Sequence, residues 1–224
     1  MCEIFAVKWP EPRPFSAIAQ HARAVEHYGQ ANFGWGVAWL DGSRVQRYRS
    51  VGRLADDAAD AEFLADVMST DFVVHFRRPS RLSTIQLADT QPFVDDAHSV
   101  AFAHNGRFAQ EPEYRPAYVD RLVGAADSEV GFLMFVDLLA AGVPAVESMQ
   151  TVHSKLGGNA NLVSLDRDGE ITIYSRYEGN RCWAFRLGDG SAAATELHSP
   201  DGSLFDLIFS DATERRVVEG GARL

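Results

Sequence analysis

A cysteine directly follows the first methionine of this 224-residue chain. Because a small second side chain allows removal of Met1, we expect the mature protein to begin with Cys2. A terminal cysteine carries a thiol nucleophile and a free α-amine on one residue. The pKa of such an amine is roughly 7.7–8.0, which suits a general base near neutral pH. The alternative is that Cys2 is an incidental small residue.

Three later segments contain polar groups that suit the same chemistry. His75 and Arg77 are two positions apart at the end of a strand-like run, so they share one face. Asn105 and Gly106 end another run, where a side-chain amide and a backbone N–H can donate to a developing oxyanion. Asp127 opens a helical pattern, and we expect it to cap the helix while one oxygen stays available to an ammonium group. Each segment also has a plainer explanation, namely a surface arginine, an Asn-Gly turn and a helix cap.

Other common site patterns are missing from the sequence. The segment 34–36 has two glycines but no third glycine and no Lys-Ser/Thr after them, so it is not a phosphate loop. The segment 166–170 lacks the remaining ligands of a calcium loop and is better explained as a hairpin turn. Seven histidines and two cysteines show no zinc-binding spacing. We therefore expect neither a metal nor an organic cofactor.

Strand and helix patterns alternate along the chain and predict how these groups are positioned. Strands, then helices, then strands again favour an α+β layered architecture in one domain over 1–224, with a peripheral tail after about 210. Three prolines predict an irregular turn over 9–14. Helices are expected at 15–28, 58–68 and 127–141. Strands are expected at 2–7, 34–40, 44–48, 71–77, 99–103, 161–166, 170–176, 181–187 and 204–209.

Composition and charge exclude several classes of protein. With 46% hydrophobic and 23% charged residues, the chain can bury one sizeable core. Lys+Arg 21 against Asp+Glu 31 gives a net charge of -10, which argues against nucleic acid or an anionic membrane as a partner. The most apolar run, 131–146, is too short and too interrupted to span a membrane. Two cysteines cannot form a disulfide framework, so a cytoplasmic location is expected.

Six short motifs, taken in order, resemble one known family over about residues 1–176. The motifs are Met1-Cys2-Glu3, Asn32-Phe33-Gly34-Trp35-Gly36-Val37-Ala38-Trp39, His75-x-Arg77 with Ser80, Gln91-Pro92-Phe93, Ala103-His104-Asn105-Gly106 and Asp127-Ser128-Glu129. Together they resemble the class II glutamine amidotransferase domain of the N-terminal-nucleophile hydrolases, and in particular its small stand-alone subgroup. The resemblance implies a four-layer α/β/β/α sandwich of two mainly antiparallel sheets.

The resemblance also implies a role for each matching residue. Cys2 would be the nucleophile with its own α-amine as the base, and Asn105 and Gly106 would form the oxyanion hole. Glutamine or a γ-glutamyl amide would be the substrate. Arg77 would pair with its α-carboxylate, because an Arg fork matches a carboxylate in two parallel hydrogen bonds, and Asp127 would pair with its α-ammonium. The substrate-binding set is Arg77, Ser80 and Asp127.

Three functions remain open at this point. The first is a glutaminase that passes ammonia to a separate synthase subunit, and the second is a hydrolase of a γ-glutamyl conjugate in thiol-compound biosynthesis. The third is a catalytically silent binding or regulatory module with the same fold. Arg78, where fused relatives have an aromatic residue or a Thr-His pair, and the absence of a common Pro-Asp at 32–33 favour the third. A homodimer is possible, and neither nucleic acid nor a membrane is expected as a partner.

Overall fold

Two antiparallel sheets form the centre of the structure, a computed structural model that describes residues 2–57 and 62–224. The larger sheet has the strand order β11-β9-β10-β1-β4-β2-β3, and the smaller has the order β12-β8-β7-β6-β5. The strands are β1 Glu3–Pro14, β2 Trp35–Asp41, β3 Arg44–Ser50, β4 Met68–Phe76, β5 Phe93–Asp95, β6 Val100–Arg107, β7 Asn159–Leu165, β8 Ile171–Arg176, β9 Cys182–Leu187, β10 Gly190–Thr195, β11 Thr213–Val217 and β12 Gly220–Arg223. The helices are α1 Ala19–Gly29, α2 Glu111–Tyr114, α3 Asp127–Ala140, α4 Ala145–Leu156 and α5 Ser203–Ile208.

Three apolar clusters separate four layers. The first cluster joins the larger sheet to α1 and α5, with Phe5 and Val25 among its members. The second joins the smaller sheet to α3 and α4, with Phe102 and Met149. The third lies between the two sheets and includes small residues such as Ala103. Because side chains alternate across a strand, each sheet fills one helix-facing layer and the shared middle layer. The predicted α/β/β/α sandwich is confirmed.

The start of the chain forms a longer strand than expected. The prediction of an irregular turn over 9–14 is wrong, because β1 continues to Pro14 and pairs again with β4 through Arg13 and Ser69. The register shifts between Lys8 and Arg13, so the prolines without an N–H fall mainly in a bulged stretch. The strands predicted at 34–40 and 44–48 are confirmed, and they form the hairpin of β2 and β3.

Helices account for two further differences. Helix α4 was not predicted, although apolar residues recur at helical spacing after Pro144, namely Val146, Met149, Val152 and Leu156. The strand predicted at 204–209 is wrong, since 203–208 forms α5. The helix predicted at 58–68 falls partly outside the described residues, and its remainder is a 3₁₀ turn over 62–66 followed by the start of β4.

The tail after 210, expected to be peripheral, supplies one edge strand to each sheet. β11 pairs with β9 of the larger sheet, and β12 pairs with β8 of the smaller one. Val218 between these strands is 3% exposed and belongs to the cluster between the sheets. The tail therefore crosses from one sheet to the other.

Candidate active site

Cys2 lies immediately before β1, at the end of the larger sheet. The pairs Glu3–Phe76 and Ile4–His75 fix the register of β1 against β4, and its continuation places Cys2 opposite Arg77. The thiol is partly buried, and the Arg78 backbone N–H donates to Sγ at 3.4 Å. Burial raises the pKa of the Cys2 thiol above its ordinary value, while that N–H and the charge of Arg77 act in the opposite direction. A base is therefore needed to form the thiolate.

Arg77 is held in a fixed position from two sides. Its guanidinium donates to both the carbonyl oxygen and Oγ1 of Thr84, the latter at 2.8 Å, in the 3₁₀ turn Leu82–Thr84. Its backbone N–H donates to Gly34 at 2.7 Å, which ties the start of β2 to the site. Burial lowers the pKa of Arg77, and the nearby Cys2 and Asp127 oppose that shift. The bonds to Thr84 use two of the five guanidinium N–H groups.

Asn105 and Gly106 lie near the end of β6 in the smaller sheet. Asn105 is fully buried, yet neither its Nδ2 nor its Oδ1 has a hydrogen-bond partner in the described part of the chain. Gly106 has φ +148°, and a Cβ there would lie 1.9 Å from the carbonyl oxygen of Asn159. Only glycine fits at this place. A buried amide without a partner beside such a glycine is rare in structural cores and typical of functional sites.

Asp127 is the first residue of α3 and does not cap it. The prediction of a cap is wrong, because Ala126 occupies the cap position and makes no side-chain hydrogen bond there. The Asp127 carboxylate turns instead towards the end of β6, where Oδ2 accepts the Phe108 backbone N–H at 2.7 Å. Its Oδ1 lies 3.4 Å from the Ser128 hydroxyl. This carboxylate therefore connects the helix to the strand that carries Asn105.

Two histidines pack around these groups. The His104 ring lies between Ser128 Oγ at 3.0 Å and Asn159 O at 3.3 Å and stacks on Phe108. Burial lowers the pKa of His104, so its ring is neutral at physiological pH. Burial, followed by the charge of Arg77, lowers the pKa of His75 to about 3. The His104 ring can therefore orient its neighbours through these contacts, whereas the buried His75 ring makes no hydrogen bond among the described residues.

One cavity of about 850 Å³ brings most of the predicted residues together. Cys2, Arg77, Ser80, Gly106 and Asp127 all line it. Asn105, the sixth predicted residue, is buried and does not form part of the lining of this cavity. Residues that the sequence analysis did not select also line the cavity, and they include Tyr28, Gln30, Thr84, Gln91, Leu197, His198 and Leu204.

Gln91 belongs to the motif Gln91-Pro92-Phe93, but the sequence did not predict a role for its side chain. Its Oε1 accepts the His104 backbone N–H at 2.6 Å, and its Nε2 donates to the His104 carbonyl at 3.3 Å. This pair of bonds fixes the strand that carries Asn105. The part of the cavity lining that residues 197–204 contribute comes from a stretch in which no motif could be recognised, so no sequence signal pointed to it.

Within residues 2–57 and 62–224, no group of three His, Cys, Asp or Glu side chains could hold a metal ion. The same part of the chain has no helix long and apolar enough to cross a membrane. The absence of a cofactor stays a prediction.

Comparison with known proteins places the chain in a family. A family model described as glutamine amidotransferases class-II matches residues 1–192. The chain belongs to this family. The match confirms the resemblance drawn from the six motifs, and it extends beyond residue 176. The role of each individual site residue remains a prediction.

Among curated proteins, a γ-glutamyl-hercynylcysteine sulfoxide hydrolase from Mycobacterium tuberculosis is 26% identical over 208 residues, which cover 90% of this chain and 81% of that protein. Among solved structures, a glutamine phosphoribosylpyrophosphate amidotransferase from B. subtilis has a TM-score of 0.76 at 18% identity. The whole chain matches 49% of that enzyme, so it spans about half the enzyme's length. A glutamine aminotransferase class-II domain protein from Silicibacter pomeroyi has a TM-score of 0.61 at 17% identity, with 100% of this chain and 98% of that one covered. The two structures show the same fold.

Proposed function

We propose that this class II amidotransferase hydrolyses a γ-glutamyl amide through a thioester on Cys2. The observation that carries the proposal is the convergence of a nucleophile, a cation, an anion and a close-packed glycine on one cavity. These are Cys2, Arg77, Asp127 and Gly106. A zwitterionic glutamyl head needs one cation and one anion held apart, and an acyl transfer needs donors at the oxyanion.

In the first half of the reaction, Arg77 binds the α-carboxylate of the substrate and Asp127 Oδ1 binds its α-ammonium. The α-amine of Cys2 takes the thiol proton as Sγ bonds to the γ-carbonyl carbon. The resulting oxyanion accepts the Asn105 Nδ2–H and the Gly106 N–H. When the oxyanion collapses, the C–N bond breaks, and the leaving amine takes the proton from the α-ammonium of Cys2.

In the second half, water attacks the γ-glutamyl thioester. The α-amine of Cys2 takes a proton from this water, and the same donors hold the second oxyanion. The C–S bond then breaks, the thiol regains its proton and glutamate leaves. This scheme needs a free α-amine on Cys2, so it requires removal of Met1.

The leaving amine distinguishes the two enzymatic possibilities. If it is ammonia, the chain serves a synthase subunit that uses ammonia. If it is a larger amine, the chain is a hydrolase of a γ-glutamyl conjugate. The M. tuberculosis relative is named as a hydrolase of such a conjugate. The cavity of about 850 Å³ lies in the range that holds ligands much larger than one amino acid. We therefore favour the conjugate hydrolase, and we place it in the cytoplasm because both cysteines are free thiols.

Labelling with a glutamine-like diazoketone tests the proposal. Intact-mass measurement is expected to show loss of Met1 and one label on Cys2. The Cys2→Ala variant should take up no label and lose turnover of glutamine and γ-glutamyl amides. Cys182→Ala is the matched control, because burial raises the pKa of that thiol to about 12 and it should not react. Retained Met1 with full activity would exclude the amine as base. No labelling, with Cys2→Ala indistinguishable from wild type, would show a silent module.

A further inference from the structure

The cavity has two walls that come from different parts of the fold. The first wall consists of the end of β6 and the start of α3, including Gly106 and Asp127. The second consists of the end of α1 and the segment 197–204, including Tyr28, Leu197 and Leu204. The proposed glutamyl-binding groups belong to the first wall and to Arg77. The second wall has no assigned role in the reaction.

Arg77 and Arg78 face these two walls separately. Arg77 continues the pairing of β4, because its carbonyl accepts the Phe33 N–H and its own N–H donates to Gly34, so side chains there still alternate between the faces. Arg77 shares the face of His75, between the sheets, whereas Arg78 shares the face of Phe76, which packs in the cluster under α1. The charge of Arg78 accordingly acts on His198 of the second wall.

No acid neutralises Arg78 in the described part of the chain. Its guanidinium makes no ion pair there, although the protein carries a net charge of -10. Two buried acids act near His198, Glu196 through its charge and Glu3 at 3.7 Å, and neither is free to pair with Arg78. Glu196 pairs with Arg181 at 2.8 Å, and burial raises the pKa of Glu3 to about 8, so Glu3 is largely protonated at pH 7.

His198 adds no positive charge to this wall. Its Nδ1 lies 2.9 Å from the Gly179 carbonyl, which only accepts, so Nδ1 carries the proton. Its Nε2 makes no hydrogen bond in the part of the chain that the structure describes and lies 3.7 Å from Glu3 Oε1, and burial lowers the pKa of the ring. Arg78 therefore brings a cation without an ion pair to a cavity that the apolar side chains of the second wall also line.

We propose that the second wall is the leaving-group subsite and that Arg78 selects γ-glutamyl amides whose amine carries an anionic group. The apolar part of the amine would pack on Tyr28, Leu197 and Leu204, and its carboxylate would accept hydrogen bonds from Arg78. The substrate class is thus a γ-glutamyl derivative of an amino acid or a similar acid. This inference rests on the proposed hydrolysis of γ-glutamyl amides.

Two substrates that differ only in one charge test the inference. γ-Glutamyl-leucine has a free carboxylate, and γ-glutamyl-leucinamide has a neutral carboxamide in its place. We expect kcat/KM to be about tenfold higher for the acid, because a charge-assisted bond is stronger than a neutral one. Arg78→Gln should bring the ratio of the two values close to one, and Arg78→Lys should restore part of it.

Two control variants locate the effect. Arg44→Gln removes an exposed arginine from the hairpin between β2 and β3, and Arg107→Gln removes one from the first wall. Neither is expected to change the ratio. A ratio near one in the wild type, or the same ratio in Arg78→Gln, would overturn the inference. A loss of discrimination in Arg107→Gln alone would show that the subsite has been assigned to the wrong wall.

Binding separates failure of the inference from failure of the proposed function. Calorimetric titration of Cys2→Ala with both compounds should show about tenfold tighter binding of the acid, without any turnover. Equal affinities would overturn the subsite even if both compounds are hydrolysed by the wild type. Tighter binding of the acid to a wild type that hydrolyses neither compound would uphold the subsite and overturn the hydrolase.

Discussion

Asn105 and Asn161 face each other on neighbouring strands, but their side chains differ in what they bind. Asn161 Nδ2 donates to the Asn180 carbonyl at 2.6 Å, and its Oδ1 accepts the Ser175 hydroxyl at 2.7 Å. The Asn105 amide has no such partner among the described residues. A buried polar group without a partner costs stability, so a structural role does not account for it. The proposed role in binding a transient oxyanion would account for it.

The two asparagines therefore predict opposite outcomes. Asn105→Ala should lower kcat by about 10²–10³-fold, because it removes one oxyanion donor. It should affect unfolding less than Asn161→Ala, which loses two buried bonds and should cost about 1–3 kcal/mol. Steady-state kinetics and urea unfolding of both variants measure this contrast. Full turnover by Asn105→Ala would remove that residue from the mechanism.

Glu3, next to the nucleophile, predicts how stability depends on pH. It is fully buried, and its Oε2 accepts bonds from Asn180 at 3.0 Å and from Thr195. Burial raises the pKa of Glu3 from 4.5 to about 8. Between these values the unfolded chain ionises while the folded one stays protonated. The folded state therefore loses up to about 1.4 kcal/mol per pH unit over that range.

Glu3→Gln should remove this loss, since an amide oxygen can accept the same two bonds. We expect the melting temperature of the variant, relative to wild type, to rise between pH 5 and pH 8 and then to level off. The exposed Glu113→Gln is the control and should follow the wild-type profile. The pKa of His75 is lowered to about 3, so this histidine lowers the stability of the folded state only as pH falls below about 6.5. Because wild type and variant both contain His75, this effect cancels when their melting temperatures are subtracted. A constant difference between Glu3→Gln and wild type would contradict the prediction.

At the scale of elements, local patterns were sufficient wherever a segment carried its own signal. The turn residues between β2 and β3 and the apolar run of β4 are examples. Local patterns failed where neighbouring strands or helices decide the conformation of a segment. In β10 all residues except the last, Thr195, are glycine, serine or alanine, which favour strands weakly, and the strand forms because β9 and β1 pair with it on both sides. In α5, Phe205 and Ile208 are three positions apart, and packing against the larger sheet favours a helix over the alternation that predicted a strand.

Gly36 connects strand β2 to the candidate site, so we expect its replacement to lower stability and turnover together. A Cβ at this position of β2 would lie 2.4 Å from the Gln91 carbonyl oxygen. Because the Gln91 side chain holds β6 at His104, Gly36→Ala should displace Asn105 as well as strain the sheet. We expect a loss of about 1–3 kcal/mol in unfolding free energy and a fall in kcat. Gly52→Ala, whose nearest atom would be Ser50 Oγ at 3.3 Å, should change neither property noticeably in thermal unfolding and kinetic assays. Normal turnover by Gly36→Ala would show that β2 does not position β6.

At the scale of the whole molecule, the site depends on how the two sheets face each other. Cys2 and Arg77 lie next to the ends of β1 and β4 in the larger sheet, whereas Asn105 and Gly106 belong to the smaller one. Alanines are common between the sheets, and they allow close approach of the strands that carry these residues. The motifs identified the residues of both sheets, but no local pattern could specify this packing. The same limit applies to the second wall, which comes from a segment far along the chain.

The net charge of the protein and the local charge of Arg78 together predict that kcat/KM for an anionic substrate first rises and then falls with salt. A net charge of -10 repels an anionic substrate at long range, whereas Arg78 attracts it at short range. The Debye length is about 30 Å at 0.01 M salt, about 10 Å at 0.1 M and about 3 Å at 1 M. The first addition of salt therefore screens mainly the repulsion, and further salt weakens the contact with the arginine.

We accordingly expect kcat/KM for γ-glutamyl-leucine to rise and then fall as salt increases, with a maximum near about 0.1 M. The value for γ-glutamyl-leucinamide, which carries no net charge, should change little. Arg78→Gln should keep the initial rise for the acid and lose the later fall, because only the local cation has been removed. Initial rates over a potassium chloride series with both compounds measure these curves. A steady decline of kcat/KM from the lowest salt in wild type would mean that the attraction by Arg78 outweighs the net charge at every distance. Parallel curves for the two compounds would mean that neither the net charge nor Arg78 acts on the leaving group.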